Sequence, residues 1–258
     1  MSDAAERLTD TVLRRGSGPS ADKELDDRYP NMRPRDAATL ILIDRSGRVP
    51  KVLLGRRHQR HKFMPGKFVF PGGRVEPVDR RMPVGTPLHP RVEARLMQQV
   101  QRPSPAKARG YALAAIRETS EETGLLLGKK LGQKPARGPA APGLWADYAA
   151  AGLHPDLASV HFIARAITPP RRIRRYDSRF FAADAETIGH RLEGVIGPEA
   201  ELVELVWVPL AEAKELDMPV ITEIVLEELD SRVAAGFGPD LPVPFFFARH
   251  GRFHRELL

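Results

Sequence analysis

The chain has no cysteine among its 258 residues. That absence excludes disulfide cross-links, thiolate catalysis and zinc sites built on cysteine, and it fits a reducing compartment. Long apolar runs are missing too: no stretch approaches the ~18 residues that a membrane span needs. The opening MSDAAERLTDTVLRRGSGPS carries no apolar segment of signal-peptide type. A soluble, cytoplasmic protein with no membrane partner is the expectation. There is no internal repeat, no zinc-finger spacing, no strand with the aromatic pattern of single-strand RNA readers and no clear helix-turn-helix, so a nucleic-acid partner is not expected. Acidic excess is absent as well. The formal net charge is +7 and the pI about 9.9, which favours anionic partners, phosphate-bearing small molecules among them.

What is present suits a globular protein: 42% hydrophobic and 28% charged residues. Residues 1–35 read as a poorly ordered lead-in, with acids and bases alternating around GSGPS. A helix is allowed over Ala4 to Leu13, but it has no convincing apolar face. Ordered structure is expected from Asp36 to the end, as one domain. AATLILID and KVLLGRR, separated by an Arg-Ser-Gly turn, predict a hairpin. KFVFPGG predicts a third strand running into a glycine loop. VHFIARAIT, RRYDSRFFAAD and ELVELVWVPL predict further strands, with Pro209 ending the last. AEAKEL and VITEIVLEELDSRVAA predict helices, the second with an apolar stripe of Ile221, Ile224, Val225 and Leu229. KKLGQKPARGPAAPG reads as a loop.

Residues 80–109 differ in character, rich in Arg, Pro and Gln. Pro90 is placed to open a helix across RVEARLMQQV with Val92, Leu96 and Val100 on one face. Ser104-Pro105 then has the form of an N-cap followed by proline at the first helical position. The helix it opens runs through YALAAIRETSEET, with Ala112, Ile116 and Thr119 as a small buried face and Gly124 as a left-handed stop. On that helix Glu118, Glu121 and Glu122 fall at i, i+3 and i+4, on one face. Like charges so placed repel, by a few tenths of a kcal/mol per exposed pair. A divalent cation resolves the crowding, because Mg²⁺ and Mn²⁺ prefer hard oxygen ligands and combine carboxylates with phosphate oxygens. The competing reading is a solvated acidic helix face.

Upstream stands a glycine loop, PGGRVEPVD, from Pro71 to Asp79. Together the loop and RETSEETGL resemble the signature of the Nudix hydrolases, G-x5-E-x7-R-E-U-x-E-E-x-G-U, where U is aliphatic. Gly73 stands at the first glycine, Asp79 where the family has Glu, and Arg117, Glu118, Glu121, Glu122, Gly124 and Leu125 match the second half. Thr119 stands in an aliphatic position. Between Asp79 and Arg117 lie 37 residues where the family has seven, so Arg80 to Arg109 reads as an insertion inside the motif. An interrupted motif of this kind, with FMPGKFVFPGG and RRYDSRFF, is similar to the branch that includes peroxisomal coenzyme A diphosphatases. The resemblance extends over roughly residues 36–235.

The resemblance implies an α/β/α sandwich with a mixed β-sheet. It also implies hydrolysis of a diphosphate bond that joins a nucleoside to another group. By it, Glu118, Glu121, Glu122 and the carbonyl of Gly72 hold Mg²⁺ or Mn²⁺. Arg117 works structurally, pairing with Glu121 or with Glu76 or Asp79 in the loop. The general base is a box glutamate or an acid from elsewhere, with Asp79, Glu199, Glu201 and Glu204 as candidates for base or extra ligand. Arg56, Arg57, Gly73 and Arg74 are candidates for substrate binding. Arg171, Arg172, Arg174 and Arg175 have the guanidinium chemistry for phosphate. His58 and His61 are read as loop residues. The partner is a small nucleotide substrate, coenzyme A or a derivative first. ADP-ribose, other nucleotide sugars, dinucleotides, oxidised nucleotides and a sensor that binds without cutting are the alternatives. A homodimer is compatible with the sequence. The insertion is expected to shape substrate access or a subunit contact.

Overall fold

The computed structural model describes residues 3–9, 32–60, 64–130, 144–172, 174–250 and 252–258. His61, Phe63, most of the lead-in and residues 131–143 of the expected loop lie outside them. The scaffold is a nine-stranded mixed sheet. Its central strand, β1 (Arg35–Asp44), pairs antiparallel with β2 (Lys51–Arg57), confirming the hairpin. The short β3 (Phe68–Val69) and β4 (Gly72–Arg74) add to β2 and β1. Later come β8 (His161–Ile167), β9 (Tyr176–Asp184) and β11 (Leu202–Pro209), with the terminal hairpin β12 (Pro244–Arg249) and β13 (Arg252–Leu257). The order across the sheet is β11-β2-β1-β9-β8-β12-β13, with β9 parallel to β1 and β12 parallel to β8. Four shorter strands, β5 (Leu125–Leu127), β6 (Lys129–Lys130), β7 (Leu153–His154) and β10 (Ile188–Arg191), pair outside it as β5 with β10 and β6 with β7.

Period-two side-chain direction explains why β1 is an almost unbroken apolar run: both of its faces are buried. Ala38, Leu40 and Leu42 enter one core, and Ile41 and Ile43 enter the other. The first core is covered by α2 (Pro90–Leu96), α3 (Pro105–Thr123) and α4 (Leu144–Ala150). The second is covered by α5 (Val220–Ala234) and α1 (Asp3–Leu8). This is the expected α/β/α sandwich. Ala108, Gly110, Ala112, Ala114 and Ala115 let α3 lie close on the sheet, while Tyr111 and Ile116 are fully buried in it. Ser104 caps α3 by accepting from the Lys107 amide, Pro105 follows, and Gly124 ends the helix at φ 75°. In α5, Ile224, Val225 and Leu229 are fully buried, and Ile221 is packed at the margin.

Four expectations need correction. The lead-in is not without an apolar face at its start. Ala5 and Leu8 are buried in the second core, Arg7 pairs with Glu227, and Thr9 Oγ1 accepts from the Phe253 amide at 3.0 Å. The helix of the insertion stops at Leu96, so Val100 is not on its face. AEAKEL forms only a single 3₁₀ turn at Ala213–Glu215, and the next helix starts separately after Pro219. The expected loop begins as strand, since Lys129 and Lys130 pair with His154 and Leu153.

The insertion is part of the core. Leu88, Val92 and Leu96 are buried beside Val243 and Phe245 of the C-terminal segment. Arg95 donates to the carbonyls of Pro239, Leu241 and Asp240 at 2.5, 2.7 and 2.8 Å, and Gln99 donates to Glu256 at 2.9 Å. The terminal hairpin widens the sheet beside β8, and α2 packs against β8 and α3 next to it.

Candidate active site

Strand β4 carries the glycine loop and α3 the acids, and β1 supports both. Ala38 and Thr39 of β1 stand opposite Gly73 and Gly72. Close approach leaves no room for a side chain at Gly72, and at Gly73 a side chain would displace the Glu118 carboxylate. A Cβ on Gly72 would lie 2.6 Å from the Ala38 carbonyl oxygen, and one on Gly73 would lie 2.5 Å from Oε1 of Glu118. The Gly72 amide donates to Oε2 of Glu122 at 3.3 Å. The turn of the loop and the acidic face of α3, 50 residues apart in sequence, are therefore in contact.

Arg117 organises the acids. Its Nε donates to Asp79 Oδ1 at 2.8 Å and one terminal nitrogen to Oδ2 at 3.2 Å. That nitrogen also reaches the Arg74 carbonyl at 2.8 Å, and the other donates to Glu118 and Glu121, both at 2.9 Å. Asp79 is fully buried and Arg117 is 4% exposed. The Glu76 amide also donates to Asp79 Oδ2, at 2.7 Å. With both oxygens committed, Asp79 serves as the anchor of Arg117, and the candidate role as base or metal ligand does not fit its surroundings. Its shorter reach is no handicap there, because the 3₁₀ turn at Asp79–Arg81 brings the backbone up against α3.

Burial raises the Glu118 carboxyl above its ordinary pKa, and neighbouring Glu121 and Asp79 push the same way against Arg117. Glu122 is raised well above the usual range, first by burial and then by Glu201 and Glu118, with Arg57 opposing. Burial works against the charge of Arg117, yet Asp79, Glu118 and Glu121 together raise its pKa. Glu121 is the open member of the set, with 44% of its side chain exposed.

Of the candidates on the strand opposite, Glu201 is the one that acts electrostatically on Glu122. It pairs with Arg57 at 3.1 Å. Glu204 pairs with Arg56 at 2.7 Å, and Glu199 is an outlying, exposed side chain 3.8 Å from Arg60. Both predicted phosphate arginines of β2 thus already hold β11-side acids. The Arg74 side chain is exposed while its carbonyl serves Arg117. Arg171, Arg172, Arg174 and Arg175 lie in the β8–β9 connection; Arg175 donates to the Thr168 and Met32 carbonyls at 3.1 and 2.6 Å. His58 accepts the Arg60 amide on Nδ1 at 2.8 Å. His58, Arg60, Glu199, Ala200 and Glu201 line an open, shallow depression of about 220 Å³. Among the described residues, no three His, Asp or Glu side chains stand together as a formed metal shell, since Glu118 and Glu121 turn to Arg117.

Sequence reasoning missed the pairing of Glu201 with Arg57 and their place beside Glu122. The signal lay in the β2–β11 register, Leu202 opposite Arg57, which neither strand reveals alone. It also gave Asp177 and Arg179 of RRYDSRFF no role of their own.

No protein-family model matches the chain. No curated protein matches it either. Among solved structures, a NUDIX hydrolase from Alicyclobacillus acidocaldarius is 30% identical, over 77% of this chain and 91% of that one, with a TM-score of 0.56. The Nudix hydrolase RenU from M. Smegmatis is 15% identical, over 82% and 95%, at 0.41. The NUDIX domain of Shewanella oneidensis NrtR, complexed with ADP ribose, is 13% identical, over 90% and 99%, at 0.42. The motif halves joined at Gly72–Gly73 and the first of these likenesses, which spans nearly the whole of its partner, make this chain a member of the Nudix hydrolase family, a pyrophosphohydrolase.

Proposed function

We propose that the protein hydrolyses the diphosphate bond of a nucleoside diphosphate joined to another group, with coenzyme A or a derivative as the first substrate to test. The observation that carries the reading is the seating of Glu118 against Gly73 and Glu122 on the Gly72 amide. Those carboxylates, with Glu121, would hold Mg²⁺ or Mn²⁺. The donor set fits, being hard oxygens. Burial, Glu201 and Glu118 all work against the charge of Glu122, and a positive charge among these carboxylates would relieve it. When bound, such an ion supplies charge stabilisation to the phosphoryl oxygens and activates water. The remaining work belongs to the chain. Asp79 holds Arg117, Arg117 holds Glu118 and Glu121 in place, and Gly72 orients Glu122. Glu201 is the favoured acid from outside the box for base or extra ligand, because of Glu199, Glu201 and Glu204 it is the one that bears on Glu122. Arg57, held by Glu201, is a candidate cation for a substrate phosphate.

The branch resemblance, through the interrupted box and RRYDSRFF, is what favours coenzyme A over ADP-ribose. Residues 36–258 act in this reading as one catalytic domain. The test is turnover of coenzyme A, ADP-ribose, dinucleotides and oxidised nucleotides with Mg²⁺ and Mn²⁺, for wild type and Glu121→Gln. The variant is expected to lose activity by orders of magnitude while unfolding cooperatively at an unchanged midpoint. A fully active Glu121→Gln enzyme would remove the metal-site assignment.

A further inference from the structure

The segment RRYDSRFF places Arg179 deep inside the protein, with the partly buried Asp177 beside it, where the catalytic elements do not use them. Arg179 on β9 is 1% exposed. Its guanidinium donates to Asp36 Oδ1 at 2.8 Å and to the Asp177 carbonyl at 2.7 Å, and it stands 3.2 Å from the Asp177 carboxylate. It also lies flat against α3, 3.9 Å from the centre of the Tyr111 ring. Asp177 is gripped at the same time by Arg165 of β8, through bonds of 2.8 and 2.7 Å. Arg165 donates onward to the carbonyls of Gln98 and Gln99 at 3.2 Å. There the insertion turns back toward α3 through left-handed Gln99 and Arg102 at φ 51°. Lys107, in the first turns of α3, stands 3.6 Å from Asp36.

Burying so much charge is costly, and replacing such a set by apolar side chains is often neutral or stabilising. Stability is therefore a weak reason for it. Its connections suggest another. Asp36 is the β1 residue whose carbonyl accepts the Val75 amide at 3.0 Å, next to the Ala37–Arg74 pair at the end of β4. Tyr111 lies seven residues, two helical turns, before Glu118 on α3 and on the same face. Arg179 thus joins the strand that seats Gly72–Gly73 to the helix that carries the acids. In an uninterrupted Nudix box, seven residues of chain limit how far loop and helix can drift apart. Here 37 residues intervene, and the covalent link no longer sets that distance.

We infer that Arg179, with Asp36, Asp177 and Tyr111, is a positioning group that sets α3 against the glycine loop in place of the short connection that the insertion interrupts. The inference rests on the metal-binding reading above. It is tested on the full-length protein by titrating Mn²⁺ and following free Mn²⁺ by electron paramagnetic resonance, well below the melting temperature. Arg179→Met is expected to unfold cooperatively yet bind Mn²⁺ at least tenfold more weakly, with kcat lowered and KM little changed. Arg179→Lys, which keeps a cation between Asp36 and Asp177, is expected to recover most of the affinity. An Arg179→Met protein with Mn²⁺ affinity within twofold of wild type overturns the inference and leaves the metal reading standing. A wild type that binds no Mn²⁺ overturns both. Should Arg179→Met fail to fold, Tyr111→Leu, which removes only the ring beneath the guanidinium, is measured instead. A several-fold weaker Mn²⁺ affinity supports the inference, and an unchanged one overturns it.

Discussion

Replacing Asp79 by Asn tests whether the loop acid is an anchor or a ligand. Asp79 and Arg117 form a bidentate pair at 2.8 and 3.2 Å with almost no solvent contact. Breaking a buried pair by removing one partner costs about 3–5 kcal/mol, since the other charge stays behind uncompensated. Arg117 keeps Glu118, Glu121 and the Arg74 carbonyl as partners, which sets the expectation at the low end, about 3 kcal/mol. Urea unfolding would show this as a lowered midpoint with an unchanged slope. Because the pair is buried, the loss should be nearly the same at low and high salt. The double variant Asp79→Leu/Arg117→Met should recover much of the stability, as apolar replacement of a whole buried pair does, while activity stays lost because Glu118 and Glu121 have no holder. If Asp79→Asn costs less than about 1 kcal/mol in metal-free buffer and instead weakens Mn²⁺ binding, the anchor assignment is refuted and Asp79 is a ligand.

Three further outcomes are expected. Gly73→Ala should abolish most activity at modest cost in stability, because the new methyl occupies the place of the Glu118 carboxylate; an active Gly73→Ala enzyme with an unmoved Glu118 in its crystal structure would contradict this. Leu96→Ala in the insertion, at 2% exposure, should cost about 2–5 kcal/mol, read from urea midpoints; a loss under about 1 kcal/mol would show the insertion to be loosely attached. His161 is held down to about 4, first by burial and then by Arg232, Arg45 and His89 against Asp184. Its folded pKa lies below its unfolded one, so the unfolded chain takes the proton first. The stability it contributes is complete above about pH 6.5 and is lost as pH falls toward 4, about 3 kcal/mol in all at ~1.4 per unit. His161→Gln should flatten that part of the stability–pH curve, and an identical slope in both proteins would refute the assignment.

The acids were legible because helix periodicity is local: RETSEET on a helix puts Glu118, Glu121 and Glu122 on one face whatever surrounds it, and Ser104-Pro105 and Gly124 mark that helix's ends. The strands were legible for the same reason, through alternation and apolar runs. The terminal hairpin went unread. PFFFAR and RFHREL are short, and their strand state comes from pairing with β8 rather than from a pattern of their own. How the insertion is anchored was not legible, because Val92 and Leu96 look like one side of an isolated helix until Val243 and Phe245 arrive from the far end of the chain.

By itself, then, the sequence determined which residues bear chemistry and which local elements carry them, since spacing along a helix or strand is a property of neighbours. Tertiary structure alone decided the partners. Only the packing of α3 on β1 brought Glu122 to the Gly72 amide, and only the β2–β11 register put Arg57 with Glu201 and made that acid a neighbour of Glu122. Asp79 became the anchor of a buried arginine 38 positions away, and Arg179 was enclosed between two aspartates and a tyrosine ring. Such contacts depend on which surfaces exclude water together, and that is fixed by the whole chain at once.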